Sequence, residues 1–199
     1  MMIRMLQRDD SVNQQAYAAL QPACVICLGN ELARDDGVGV RIGRILQLLP
    51  LPTHVTVRLY PQIDLDLIDH LLEGQRFILC DATRLGIAPG TVTVRDWQFA
   101  ASLSRQPSCC HGIGLSDLLS IAAELDPDHG HWDVHLVGVE VQTIDEFGTH
   151  LSDAVEVALP SAVGEVMRKL AAPSHLLPLA EAAARRMGPP SVLDAVAGT

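Results

Sequence analysis

The chain has 199 residues, of which 48% are hydrophobic, and a net charge of −10 from 14 basic and 24 acidic side chains. That apolar content supports a full core and excludes a disordered chain, and the length fits one domain with tails. The acidic balance repels both a phosphate backbone and an anionic lipid surface, so nucleic acid is not an expected partner, and no apolar run approaches the ~20 residues needed for membrane insertion.

Residues 1–22 are mixed and polar, without the compact apolar stretch of a secretory signal, and read as an extension. A domain is expected over residues 23–171. Its first strand is Cys24-Val25-Ile26-Cys27-Leu28, a continuous apolar run of the kind buried on both faces. After Asp36, the positions Val38, Ile42, Ile45 and Leu49 have helical spacing. Thr53 to Tyr60 alternates, with Val55, Val57 and Leu59 on one side. Asp64 to Leu72 reads as a helix with Leu67, Ile68, Leu71 and Leu72 inward. Phe77 to Cys80 is a second fully apolar strand, and Thr91 to Trp97 alternates again. Leu115, Leu118, Leu119, Ala122 and Leu125 form a third helical face, and Val134 to Val141 a fifth strand. Val155, Leu159, Ala162, Val163, Val166 and Leu170 form a helix containing Pro160, which removes one backbone donor and is expected to kink it. The Ala/Pro-rich tail, residues 172–199, has room for one short helix around Leu179 to Met187, stopped by Gly188-Pro189.

The order β-α-β-α-β-β-α-β-α argues an α/β sandwich on a mainly parallel sheet. One link differs. Ala82 to Gly90 is too short for a helical crossover and holds Gly86 and Pro89-Gly90, so the fourth strand is expected to run antiparallel to its neighbours.

In open α/β sheets, sites form beyond the carboxyl ends of the strands. The first strand ends in Gly29-Asn30 and leads to Asp35-Asp36-Gly37, and the third ends in Cys80-Asp81-Ala82. The loop before the third helix carries Cys109-Cys110-His111. Asp36, Asp81 and His111 therefore fall on one rim. Two carboxylates and an imidazole suit a borderline divalent metal and leave positions open. The same residues have plainer uses: Asp35 or Asp36 as a helix cap, Asp81 as a turn cap, His111 as an ordinary loop histidine.

Four stretches match one family. LGNELARDDGVGVRI resembles the first motif of the NiFe-hydrogenase maturation endopeptidases, Gly-x-Gly-Asn followed by Asp-Asp/Glu-Gly. LCDATRLGIAPGTV resembles their second, an Asp-Ala after an apolar strand with a later Pro-Gly. SCCHGIGLSDLL resembles their third, a His four residues before a Leu-x-Asp-x-Leu helix start. LVGVEV followed by LSDAVEVALPSAV resembles their last strand and helix. The similarity runs from about Cys24 to Leu170 in the family's order. Cys27 stands where the family often has its first Gly, and Pro61-Gln62-Ile63 where many members carry Pro-Glu-Leu.

The resemblance implies a three-layer α/β/α sandwich, phosphorylase/hydrolase-like, with a five-stranded mixed, mostly parallel sheet. It implies a cytoplasmic, monomeric endopeptidase that removes a C-terminal peptide from the hydrogenase large-subunit precursor after nickel insertion. The metal contacts fall on Asp36, Asp81 and His111. Nickel is carried by the precursor as the recognition element, with cadmium or zinc as substitutes in vitro. Such proteases are grouped with the aspartic type, and the catalytic group stays open between Asp36, Asp81 and His111.

Other features compete with this reading. Cys24-x-x-Cys27 looks like a redox motif, but residues three apart on a strand face opposite ways, so core thiols are expected. Five cysteines, odd in number and unevenly spaced, fit reduced thiols in the cytoplasm. Asp126-Pro127-Asp128-His129-Gly130-His131 with His135 resembles a metal patch, and a solvated loop is the simpler reading. Cys109 or Cys110 beside His111 lacks the separation usual for a nucleophile and its base. A nucleotide site at Gly29-Asn30 is disfavoured, because Asp35-Asp36 repel a pyrophosphate. The non-enzymatic alternative is a nickel- or precursor-binding chaperone that does not cleave.

Overall fold

The computed structural model describes residues 22–72, 76–96, 115–126 and 133–187. Five strands form one sheet: β1 (Ala23–Leu28), β2 (Val55–Tyr60), β3 (Arg76–Thr83), β4 (Val92–Asp96) and β5 (Asp133–Glu140). The helices are α1 (Val38–Gln47), α2 (Leu67–Leu72), α3 (Leu115–Leu125), α4 (Asp153–Lys169) and α5 (Leu177–Arg186). The expected α/β order is thus present.

The strand order is β2-β1-β3-β5-β4. β1, β2, β3 and β5 run parallel, and β4 runs antiparallel to β5. The short link after β3 therefore reverses the chain, as its length requires. It does not form a hairpin with β3, because β5 lies between the two strands. The register Leu28↔Tyr60, Cys27↔Cys80 and Asp81↔Gly138 brings the carboxyl ends of the parallel strands to one edge.

Every residue of β1 is buried. Its side chains alternate between two cores, as a strand covered on both faces must. Ala23, Val25 and Cys27 pack with Val38, Ile42, Ile45 and Leu46 of α1 and with α4 and α5. Cys24, Ile26 and Leu28 pack with Leu67 and Ile68 of α2 and with Leu118 and Ala122 of α3. These are the three layers: α1, α4 and α5 on one face of the sheet, α2 and α3 on the other.

Helix α4 continues through Pro160, and all six of its expected core residues are buried. Leu125, the last residue of α3, is exposed rather than inward. In the Ala/Pro-rich stretch, Leu176, Ala180 and Ala184 enter the same core as α1 and α4. The Arg41 side chain of α1 is buried, donates to the Met187 carbonyl at 3.0 Å and lies 3.6 Å from Glu156. Among the described residues, no helix is long and apolar enough to cross a membrane.

Candidate active site

β1 gives way to a tight turn at Gly29, where φ is +132°. A Cβ there would lie 1.9 Å from the Asp36 carbonyl oxygen, so only glycine fits. A second glycine sets the height of α1. A Cβ on Gly39 would lie 2.2 Å from the Leu28 carbonyl oxygen and 2.3 Å from that of Cys80. Without one, the first turn of α1 rests directly on the ends of β1 and β3. Asp36, on the 3-10 turn Arg34–Gly37 just before α1, is thereby brought close enough to Asp81 of β3 for its charge to act there.

The Asn30 N–H donates to the Asp36 carboxylate at 2.9 Å, while the Asn30 side-chain oxygen accepts from the Leu32 N–H at 2.9 Å. Asp81 accepts from the Ala82 N–H at 2.8 Å. Burial pushes the Asp81 carboxyl up to about 7, and the negative charge of Asp36 adds to this, against the Ala82 hydrogen bond. The two carboxyl groups therefore share one electrostatic environment. A divalent cation between them would relieve both the desolvation and the repulsion. An acid poised near neutrality is also able to exchange a proton with substrate or water.

Of the three expected ligands, the structure brings Asp36 and Asp81 together, and His111 lies outside the described residues. So do Cys109, Cys110, His129 and His131. Among the described residues, no group of three or more His, Cys, Asp or Glu side chains is arranged to hold a metal. His135 sits between Asp96 at 2.9 Å and Asp133 at 2.8 Å, near the start of β5 and away from the rim. Cys24 and Cys27 face opposite cores, as the strand period requires. Cys27 faces α1 rather than the turn, so its replacement of a family glycine leaves the turn to Gly29. It contacts the space beside Gly43 and hydrogen-bonds Cys80, and burial raises its thiol well above the usual range.

Two carboxylates that brace the rim were not singled out for that role by the sequence. Asp35 is completely buried. It accepts from the N–H groups of Gln142 at 2.9 Å, Thr143 at 3.0 Å and Ser152, and from the Ser152 hydroxyl at 2.8 Å. It thus ties the Asp36 turn to the loop after β5 and to the cap of α4. Glu140, also buried, accepts from the N–H groups of Leu85, Gly86 and Ile87 and from the Thr83 hydroxyl. It fixes the loop after β3. The available signal was an acidic residue ending the otherwise apolar LVGVEV strand. Arg34, next to Asp35, has a φ of +52°, a left-handed conformation held by its N–H to the Gly148 carbonyl at 2.9 Å.

The fold and this rim define a class: a three-layer α/β/α protein with paired carboxylates at the carboxyl ends of its parallel strands. The sequence profile of hydrogenase maturation proteases (HycI) matches residues 63–169, more than half of the chain, and the chain belongs to that family. The hydrogenase expression/formation protein HupD of Rhodobacter capsulatus is 29% identical over 150 residues, covering 74% of this chain and 70% of its own. The hydrogenase-maturating endopeptidase HybD from E. coli superposes with a TM-score of 0.68 at 26% identity, over 75% of this chain and 91% of its own. The NiFe-hydrogenase maturation protease HybD from Thermococcus kodakarensis gives 0.59 at 28% identity, over 75% and 98%. The activity is accordingly that of an endopeptidase in hydrogenase maturation.

Proposed function

We propose that this chain cuts a C-terminal peptide from the large-subunit precursor of a NiFe-hydrogenase once nickel has been inserted. The supporting observation is the convergence of Asp36 and Asp81 at one edge of the sheet, with Asp81 held up at about 7 by burial and by its neighbour's charge. In this reading nickel arrives as part of the substrate. Asp36, Asp81 and His111 supply two oxygen donors and one nitrogen donor, a set that suits nickel and also zinc or cadmium in vitro. Held there, a divalent cation supplies polarisation of a carbonyl or activation of water.

The remaining work belongs to the chain. Gly39 lets α1 carry Asp36 to Asp81. Asn30 orients Asp36, and Ala82 orients Asp81. Asp81 has to lose its proton to serve as a ligand, so engagement of the loaded precursor strengthens as pH rises through about 7. The mechanism is of the aspartic or metal-directed kind, with Asp36, Asp81 and His111 as the catalytic candidates. Metal-dependent recognition spares precursor that has not been loaded. We further read the enzyme as a cytoplasmic monomer.

The test is mass spectrometry of the cognate precursor incubated with this protein, with and without nickel loading. Loss of one discrete C-terminal peptide from loaded precursor alone is expected. Tight association with no mass loss would instead make the chain a non-cleaving chaperone. Equal cleavage of loaded and empty precursor would remove nickel as the recognition element.

A further inference from the structure

Three of the large apolar side chains that stand exposed belong to the loops around Asp36 and Asp81. Phe147, in the loop between β5 and α4, is 79% exposed. Leu65, between β2 and α2, is 49% exposed, and Ile87, between β3 and β4, is 42% exposed. A single exposed apolar residue is ordinary on any protein surface. Here each of three separate rim loops carries one.

The strand order gives their arrangement. Leu65 follows β2, on one side of the β1 end that leads to Asp36. Ile87 and Phe147 follow β3 and β5. Gly148, next to Phe147, lies against Leu32, Ala33 and Arg34 of the turn that carries Asp36.

The loops are also fixed. Glu140 receives the N–H groups of Leu85, Gly86 and Ile87 itself, at 2.8 to 3.2 Å. Asp35 holds both ends of the Phe147 loop through Gln142, Thr143 and Ser152. Gly148 exchanges backbone hydrogen bonds with Leu32 and Arg34, each at 2.9 Å. Leu65 is set by its N–H to the Asp64 carboxylate at 2.6 Å. Two ion pairs tie the Phe147 loop to its neighbours: Arg84 to Asp145 at 3.1 Å, and Arg34 to Glu146 at 3.4 Å. The charged neighbours Arg84, Asp145, Arg34 and Glu146 are thus paired with one another. What Ile87 and Phe147 offer a partner is apolar surface on a preorganised frame, which lowers the entropy cost of binding.

We propose that Leu65, Ile87 and Phe147 form an apolar rim that grips the protein substrate. Its occupant is apolar surface of the precursor around the segment that reaches Asp36 and Asp81. This rests on the function proposed above and adds to it where the precursor binds. Apolar recognition also suits an enzyme whose charge of −10 gives no general attraction to acidic partners.

The experiment measures the affinity of nickel-loaded precursor for the wild type and for Leu65→Ser, Ile87→Ser and Phe147→Ser, singly and combined, alongside KM and kcat for cleavage. A second variant, Leu48→Ser with Leu179→Ser, removes exposed apolar surface from the groove between the C-terminal end of α1 and α5, away from the rim. Unfolding midpoints establish that all variants are folded. Each tip substitution is expected to weaken binding and raise KM by about ten-fold, with kcat kept at saturation, while the groove variant matches wild type. Tip variants that bind as tightly as wild type would overturn the rim, as would an equal loss in the groove variant. A wild-type protein that neither binds nor cleaves precursor would overturn the underlying function, and the rim with it.

Discussion

At Asp81 the fold gives up stability to keep a buried carboxyl at the end of a strand. The folded protein keeps its proton up to about pH 7, whereas an unfolded chain releases it near 4. The folded state binds the extra proton between these values, so stability falls as pH rises from about 4 to 7 and stays low above that. Asp81→Asn removes this slope. Urea unfolding of metal-free protein is expected to show Asp81→Asn more stable than wild type by ~2–4 kcal/mol at pH 8 and alike at pH 4. Zinc is expected to raise the wild-type midpoint at pH 8 and leave that of Asp81→Asn unchanged. The reverse order at pH 8, with the asparagine variant the less stable, would mean that Asp81 is a stabilising turn cap and not a strained functional acid.

At the level of elements, the rim depends on buried carboxylates that pin loops by their backbone N–H groups. Asp35→Ala leaves three backbone donors and one hydroxyl facing a space that held their acceptor. The expected cost is about 3–5 kcal/mol in chemical unfolding. The loop after β5 and the start of α4 are expected to lose hydrogen-exchange protection first. If protection there is unchanged, the pin is not what orders the rim. This element also marks the boundary of what the sequence makes legible. Strands and helices can be read because their signals are local: β1 is apolar throughout, and α4 repeats its core residues at helical spacing. Asp36 and Asp81 can be picked out as candidates because strand ends are where such folds place their sites. Asp35 is adjacent to Asp36 and chemically identical to it, yet its partners lie 107 to 117 residues away. Nothing local distinguishes the pin from the ligand candidate. Glu140 hides for the same reason, its donors being 53 to 57 residues distant. The placing of β5 between β3 and β4 is likewise a long-range pairing, and the turn before β4 shows only that the chain reverses.

Over the whole molecule, α5 links the tail region to the site through α1. Leu176, Ala180 and Ala184 are buried against α1 and α4. Arg41 reaches from α1 to the Met187 carbonyl just past the end of α5. Burial lowers the pKa of its guanidinium, and Glu156 works against that shift. The helix that receives this support is the one whose first turn, through Gly39, sits on the strand ends beside Asp36 and Asp81. Ending the chain after Ala172 strips α5 from that face, and Ala180→Asp places a carboxylate in the same contact without shortening anything. Each change is expected to cost about 3 kcal/mol or more, a large share of the 5–15 kcal/mol that typically holds a domain folded. That corresponds to a fall in Tm of roughly 6–12 °C for a chain of this size. Differential scanning calorimetry checks it, and precursor cleavage should fall in parallel at temperatures where the variants begin to melt. Should both variants melt with the wild type, α5 would be a passive attachment, and the support of α1 would have to come from α4 and the sheet alone.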